Sequence, residues 1–276
     1  MLLSRNYAPS DDLAPYIRRY YVFETALPEG FEVIDQLMSE TAFIRLLLRG
    51  NWAAEVDAGW ASFGPVPLMG ANSVPLRVRV RGGFHVVGIA IRPCGWRSLF
   101  NCPASDLADR AEPLERHWGS LADALYDAVA AAGDDAAIVA AIEQIVRRRI
   151  TECGRRPADD YIARFEDIAR NDCTIAVGDA ARRLGISTRQ LERLCRATFG
   201  HGPKVVLRRS RFLETAQAMR GFGTPSEEHL AALHYFDQSH VNREFRHFFG
   251  MTPGMFERTM TPLFTAGLKL RADGVR

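Results

Sequence analysis

The sequence is poor in the residues that build metal and redox centres. Its five cysteines are an odd number and include no C-x-x-C pair, which predicts reduced thiols without a metal or redox role. Before residue 116 there is a single histidine, His85, and one imidazole does not hold a catalytic metal. The sequence has neither a Gly-rich phosphate loop nor a G-x-S-x-G motif. These absences favour a protein without catalysis, metal or cofactor.

Long apolar segments are also missing. No uncharged apolar run approaches ~18 residues, and Met1-Leu2-Leu3 runs directly into Ser4-Arg5-Asn6. We therefore expect a cytoplasmic protein without a secretory or membrane segment. The 276 residues, 47% of them hydrophobic, suffice for one core of about 150 residues and a second of about 100.

A segment near the C-terminal end is repeated at a spacing of 50 residues. Ser187–Gly200 and Asp237–Gly250 have basic and aromatic residues at equivalent places. The matches are Arg193 with Arg243, Arg196 with Arg246, Phe199-Gly200 with Phe249-Gly250, Pro203 with Pro253, and Arg208 with Arg258. Two similar helix-turn-helix units in one chain indicate a protein that reads two successive major grooves of DNA.

The first copy has the pattern of a helix-turn-helix. An apolar helical stripe ends at Gly185, and Ser187 with Gln190 forms a capping box that begins a second helix. The phase of that helix leaves four charged side chains outward: Arg189, Glu192, Arg193 and Arg196. In a helix-turn-helix the N-terminal residues of the second helix reach the base edges.

The second copy repeats this pattern, with Asp237 as the predicted N-cap. Its outward side chains are Gln238, Ser239, Asn242, Arg243 and Arg246. Gln and Asn pair with adenine, Arg pairs with guanine or phosphate, and Ser pairs with either. Residues 204–219 between the copies predict a helix of roughly 24 Å. Such a rod would hold two recognition helices about one DNA turn, ~34 Å, apart.

Positive charge is concentrated around the first copy. From Arg182 to Arg211 there are nine Lys or Arg and one acidic residue, Glu192, although the net charge of the chain is only +2. A basic run alone is more typical of a solvated surface. On a repeated helix-turn-helix it favours contacts with DNA phosphates.

Residues from about Thr174 to Arg258 resemble the DNA-binding domain of the AraC/XylS family of transcriptional regulators, and Tyr235–Pro253 is similar to its C-terminal signature. The resemblance implies base contacts around Leu191, by Arg189, Glu192 and Arg193. Around Val241 it implies base contacts by Gln238, Ser239, Asn242 and Arg243. Double-stranded DNA is the implied partner, with a small-molecule effector, RNA polymerase and a second copy of the chain as further candidates.

The second unit departs from the family pattern in its turn. Family members usually have Gly where this chain has His234, and the preceding helix, Ser226–Leu233, is about one residue short. A non-Gly residue at positive φ is uncommon, although His is among the less disfavoured choices. We therefore expect the first unit to dominate DNA affinity.

The first 115 residues predict short strands. Ala42–Leu48 is an apolar run, and Leu76–Arg81 and Phe84–Ile91 are expected to form a hairpin around Gly82-Gly83. Such strands suggest a small barrel or sandwich. Helices are expected at about 96–100, 119–132 and 134–150, with the linker at 153–157.

Three features of the N-terminal half leave alternatives open. Arg77, Arg79 and Arg81 share one strand face, either a solvated outer face or an anion-lined pocket. His85 is interpreted as a satisfied core or pocket residue. Four isoleucines lie nearly in line on the third predicted helix: Ile138, Ile142, Ile145 and Ile150. This apolar stripe is expected to pack between domains or between two chains.

The N-terminal half is similar to that of a subgroup of AraC-type regulators, through Tyr7-x-Pro9, Leu13-x-x-Tyr16-Ile17, Gly64-Pro65 and Arg92-Pro93. This resemblance implies a cupin-like barrel that binds a small effector or mediates dimerisation. We predict an α+β fold with a sensor or dimerisation domain at 1–155, β-rich to 115 and helical over 116–150. An all-α domain of two helix-turn-helix units joined by a linker helix follows at 158–262, and a tail at 263–276.

Three functions follow from these patterns. A DNA-binding transcriptional regulator agrees with the repeated, basic helix-turn-helix units. The first alternative is a ligand-binding or enzymatic barrel whose degenerate helix-turn-helix does not read DNA. The second is a dimerisation module without a ligand.

Overall fold

The N-terminal part of the chain folds as one antiparallel sheet. The computed structural model describes residues 2–154, 156–222 and 238–273. The strands are β1 (Leu2–Tyr7), β2 (Ile17–Thr25), β3 (Glu32–Leu37), β4 (Phe43–Val56), β5 (Gly59–Ala61), β6 (Pro67–Met69), β7 (Leu76–Ile91) and β8 (Ala111–Pro113). They pair in the order β1-β2-β7-β4-β6-β8, with β3 on β7 and β5 on β4.

The long strand β7 corrects one prediction. Gly82-Gly83 does not turn a hairpin, because β7 runs continuously through both glycines. Its first half pairs with β3 and its second half with β2. Gly82 has φ +67°, and a Cβ on Gly83 would lie 2.8 Å from the carbonyl oxygen of Thr25. The two glycines therefore bend one strand where it changes partner, instead of reversing the chain.

Four helices cover one face of the sheet: α1 (Trp96–Leu99), α2 (Glu115–Trp118), α3 (Ser120–Ala130) and α4 (Asp135–Glu152). The stripe on α4 lies in the same apolar core as Tyr20, Ile44 and Val87 of the sheet. The prediction that this stripe packs between domains or between chains is wrong. Val146 is fully buried in this core. Ile145, which was expected on the buried face of the helix, is only partly buried.

The C-terminal half is helical in all its described parts. Its helices are α5 (Asp160–Asn171), α6 (Val177–Leu184), α7 (Thr188–Phe199), α8 (Pro203–Met219), α9 (Gln238–Phe249), α10 (Pro253–Arg258) and α11 (Pro262–Asp273). The predicted α+β class is confirmed. None of the helices in the described ranges is long and apolar enough to cross a membrane. The proposed domain boundaries stay a prediction, and most of the segment assigned to a tail forms α11.

Helix α11 belongs to two cores. Leu263, Ala266 and Leu270 pack on the second face of the sheet, against Phe23 and Val86 among others. Its neighbouring positions Phe264 and Leu268 belong instead to a cluster with phenylalanines of α8, α9 and α10. One helix thus connects the interior of the β-rich half with the helices α8, α9 and α10.

Both ends of α11 are anchored to the sheet. The backbone N–H groups of Leu263 and Phe264 donate to the Asp35 carboxylate, at 2.7 and 3.2 Å. At the other end, the Arg19 guanidinium donates to the carbonyl oxygen of Leu270. A carboxylate at a helix N-terminus and a cation near its C-terminus both complement the helix dipole.

Asp35 should make the free energy of unfolding depend on pH. Burial raises its pKa to about 6, although three backbone N–H groups and the charge of Arg220 oppose this shift. A carboxyl whose pKa is raised by folding binds its proton more tightly in the folded state. It therefore adds stability as the pH falls from about 6 toward about 4.

We expect Asp35→Asn to remove this gain, which is roughly 2 to 3 kcal/mol at most. The measurement is urea unfolding of parent and variant at about pH 4.5 and about pH 7.5. The control Asp57→Asn, at an exposed carboxylate, should behave as the parent does. The same pH-dependent change in parent and Asp35→Asn would contradict the prediction.

Candidate nucleic-acid interface

The first unit is built as its sequence predicts. Gly185 ends α6 with φ +73°, and the Ser187 hydroxyl accepts a hydrogen bond from the N–H of Gln190 at the start of α7. Leu191 and Cys195 on α7 are fully buried. Phe199 meets Phe165 of α5 edge to face, with ring centroids 5.7 Å apart. Helix α7 is therefore fixed in the core while its opposite side remains in solvent.

The predicted readers of α7 lie on that free side. Arg189, Arg193 and Arg196 are exposed and Glu192 is half-buried. Glu192 accepts a hydrogen bond from Arg196 at 3.0 Å, a pair one helical turn apart. No ion pair joins Arg189 or Arg193 to another described residue. These two guanidinium groups are available to an anionic partner.

The second unit is described from α9 onward. Ser239, Arg243 and Arg246 are exposed and Asn242 is half-buried. The side chain of Gln238 lies outside the described residues. So do the predicted N-cap Asp237, the turn residue His234 and the helix predicted at 226–233. The expectation of a weaker second turn therefore stays a prediction.

An aromatic cluster holds α9 in place. Phe245, Phe248 and Phe249 are fully buried. Phe212 of the linker helix α8 lies 5.0 Å from Phe245 and 5.5 Å from Phe248, measured between ring centroids. Phenylalanine rings bury large areas and prefer such edge and offset contacts. The orientation of α9 on α8 is thereby set.

A buried ion pair adds a second connection between α8 and α9. Glu244 is 3% exposed and accepts from Nη2 of Arg208 at 2.7 Å. The same guanidinium lies 5.4 Å from the ring centroid of Phe248. This pair was not predicted from the sequence, in which Arg208 was matched only with Arg258. A signal was present, since Glu244 lies three residues after Val241 on the apolar face of the helix.

A cavity of about 150 Å³ lies between the sheet and α11. Its walls are mainly apolar and include Tyr21, Phe23, Phe43, Phe264 and Leu268. Four arginines and Glu40 also line it. Two of these arginines, Arg19 on β2 and Arg45 on β4, lie on the strands that flank β7. The residues that form this cavity were not predicted, because they come from elements far apart in the sequence.

Arg19 and Arg45 are buried in the cavity wall and make no direct ion pair with a carboxylate of the described residues. Each is 5% exposed, and neither makes an ion pair with another described residue. Arg45 lies 4.1 Å from the ring centroid of Trp52, and its Nε and Nη1 atoms have no hydrogen-bond partner. Burial lowers the pKa of Arg19 to about 10. Glu40 lines the same cavity and its charge acts on Arg19, but its ion pairs are with Arg170 and Arg271. Buried cations that lack a directly paired anion are unfavourable, so an anionic group bound in this cavity would be stabilised.

The strand arginines that were candidates for an anion pocket lie elsewhere. Arg77 pairs with Glu55 at 3.0 Å and Arg81 with Glu32 at 2.6 Å. Both arginines are exposed, which confirms the solvated outer face. His85 is half-buried, and the described residues contain no group of three or more side chains placed to hold a metal ion.

Two family models match the sequence. Residues 180–259 match a family described as a helix-turn-helix domain. Together with the capped helix pair and the second copy 50 residues later, this match confirms the resemblance seen in the sequence. Residues 180–259 form an AraC-type helix-turn-helix domain. Residues 5–113 match a domain of unknown function, DUF6597, and no curated protein matches the chain significantly.

The fold is also similar to solved structures. ToxT from Vibrio cholerae aligns with a TM-score of 0.50 at 11% identity, covering 89% of this chain and 99% of ToxT. An apo form of a ToxT variant gives a TM-score of 0.50 at 10% identity, covering 93% and 100%. The AraC-like transcriptional activator CuxR gives 0.26 at 15% identity, covering 78% and 86%. At such identities the similarity to ToxT shows a shared α+β fold.

We expect the Arg208–Glu244 pair to stabilise the AraC-type domain. Glu244→Ala leaves a half-buried guanidinium without its partner and should lower the free energy of unfolding by about 1 to 2 kcal/mol. Urea unfolding provides the measurement. Glu257→Ala, at an exposed position of α10, is the control and should change little. If both variants are equally stable, the pair does not stabilise the second unit.

Proposed function

We propose that the protein is a sequence-specific transcriptional regulator whose AraC-type domain reads two successive major grooves of DNA. The observation that carries this proposal is the pair of exposed, unpaired arginines, Arg189 and Arg193, in the first half of a capped recognition helix. Arg243 has the same helical position in the second unit, 50 residues later. Such a placement on two connected helices suits groove reading better than general solvation.

Each predicted side chain has a role in this proposal. The base readers are Arg189, Glu192 and Arg193 in the first groove and Gln238, Ser239, Asn242 and Arg243 in the second. Arg196 and Arg246, one turn further along each helix, contact phosphates and contribute salt-dependent affinity. Glu192 orients Arg196 through the 3.0 Å hydrogen bond between them. RNA polymerase and a second copy of the chain remain candidate partners.

Removing Arg193 tests the reading of bases. Arg193→Ala should weaken binding to the preferred duplex by about 1 to 3 kcal/mol, because one base contact is lost from a helix whose fold is unaffected. The duplex is first selected from random-sequence DNA, and affinities are then compared by fluorescence anisotropy at one salt concentration. The control is Arg97→Ala, which removes an exposed arginine of α1 in the other half of the chain.

The result also decides between the candidate functions. Equal affinity of parent and Arg193→Ala would mean that this helix face does not read bases. Selection that enriches no sequence would favour the alternative of a ligand-binding barrel with a degenerate helix-turn-helix. Sedimentation of the protein at several concentrations shows whether two copies associate.

We further propose that a small organic anion controls the regulator by binding in the cavity beside α11. The unpaired charges of Arg19 and Arg45 would hold the anionic group, and the aromatic and aliphatic walls would contact an apolar body. A cavity of about 150 Å³ has room for a body the size of benzene. Benzoate is therefore a suitable probe.

A calorimetric titration tests this effector site. Benzoate should bind the parent, while benzyl alcohol, which has the same ring without the charge, should bind at least about tenfold more weakly, since roughly 1.4 kcal/mol of anion contact corresponds to that factor. Arg45→Met keeps a long side chain but removes the charge, and it should reduce benzoate binding alone. Equal binding of benzoate and benzyl alcohol would exclude an anion site.

A further inference from the structure

Helix α11 has an unfilled position on its inward side. Leu263, Ala266 and Leu270 face the sheet, while Phe264 and Leu268 face the aromatic cluster of the second unit. Gly267 lies between these two sets on the helix surface. A residue in the middle of a buried face is normally packed. Gly267 is instead exposed, and a Cβ built on it meets no atom within 4 Å.

The space beside Gly267 is the cavity. Gly267 lines it together with its neighbours Phe264, Leu268 and Arg271 on α11. Helix α11 therefore rests on the sheet through its flanking residues and its two anchored ends, Asp35 and Arg19, with a gap under its middle. A glycine within a helix also lowers its stability relative to alanine, by about 1 kcal/mol. This part of α11 is the least supported by packing.

The other side of α11 contacts the second recognition helix directly. The ring centroids of Phe264 and Phe249 are 4.2 Å apart, and Phe249 is the last residue of α9. Phe264 also lies 5.9 Å from Phe256 of α10. The core of the first unit, in contrast, consists of Cys94 and residues of α5 to α8, and none of its described members comes from α11.

A second connection runs from α11 to the linker helix. Arg271 donates to Glu214 at 3.0 Å and to Ser210 at 3.1 Å, both on α8. The side-chain amide of Gln217 donates to the carbonyl oxygen of Leu268 at 3.3 Å. Helix α11 is thus joined to α8 at its C-terminal half and to α9 at its N-terminal half, so its packing affects the angle between those two helices.

We propose that α11 couples occupancy of the cavity to the second recognition helix and tightens the second unit on DNA. This inference rests on the proposed function and adds the route of regulation. A molecule bound in the cavity contacts α11 beside Gly267, where no side chain of the protein packs. Helix α11 then becomes more rigid between its ends, which are held by Asp35 and Arg19. Phe264 then fixes Phe249 and the end of α9 more firmly. A helix ordered before DNA binding loses less conformational entropy when it binds.

Filling the cavity from within the chain tests the coupling without any ligand. Gly267→Leu places an apolar side chain in the empty space, and Gly267→Ala is the matched control that raises helix propensity without filling it. Amide hydrogen exchange reports rigidity of each helix. In Gly267→Leu we expect exchange to slow by about fivefold or more in α9, relative to α7 and to the Ala variant.

The same variants are then compared on DNA. On the selected duplex, Gly267→Leu should bind about fivefold or more tightly than Gly267→Ala. The difference should disappear when the second half-site is scrambled and persist when the first is scrambled. If Gly267→Leu does not fold, Gly267→Val introduces a smaller apolar group into the same space and is measured in the same way.

The possible results separate the inference from the proposed function. Slower exchange of equal size in α7 and α9, or unchanged exchange in a folded filled variant, would overturn the coupling. An equal gain in affinity on both scrambled duplexes would overturn it as well. Absence of any selective DNA binding would reject the proposed function, while the exchange measurement would still decide whether α11 transmits occupancy to α9.

Discussion

The arrangement of the two halves depends on one buried guanidinium. Arg209 of the linker helix α8 is fully buried and donates to the carbonyl oxygens of Asn72 and Glu40, each at 2.6 Å. Burial lowers the pKa of Arg209 to about 10, and a buried charge is tolerated only when hydrogen bonds satisfy it. Both carbonyls belong to loops of the sheet. Movement of α8 away from the sheet would leave this charge unsatisfied, so α8 and the sheet are held together.

Further ion pairs act at the same boundary. Burial opposes ionisation of the Glu40 carboxylate, yet the charges of Arg271 and Arg170 hold its pKa below the usual range. These two arginines come from the far end of the chain and from α5, at 3.4 and 3.6 Å from Glu40. Glu166 of α5 is joined to Arg92 at 2.9 Å and to Arg18. Such networks favour one geometry, since each carboxylate joins arginines from different elements, and removing Glu40 or Glu166 would deprive two arginines of that partner.

Contacts with α8 hold both α7 and α9 in position. The Arg208–Glu244 pair and the rings around Phe212 fix α9 on it, while Val206 and Leu207 pack in the core of the first unit with Leu191 of α7. Helix α8 is therefore fixed to the sheet and holds both α7 and α9. The cavity lies beside this junction and α11 forms one of its walls, so the β-rich half and the helical half are in contact through it.

Much of the helix-turn-helix domain could be predicted from local sequence. Gly185, the Ser187 cap and the phase of α7 depend on residues a few positions apart, and the structure reproduces them. The hairpin predicted from local sequence at Gly82-Gly83 was wrong. A glycine pair has the same local freedom in a hairpin and in a bent strand, and only pairing with β2 and β3 distinguishes the two. The stripe of α4 was recognised as apolar, but its packing partner is the sheet of its own half.

The sequence by itself determined the first helix pair, the outward arginines of α7 and α9 and the α+β class, because periodicity, capping and turn residues act over short distances. Only the tertiary structure decided that Arg19 and Arg45 share a cavity, that Glu244 is buried against Arg208, and that α11 connects the sheet to the second unit. These features join residues 26 to more than 200 positions apart. Burial, charge pairing and ring packing at such separations depend on the assembled fold, and no local pattern encodes them.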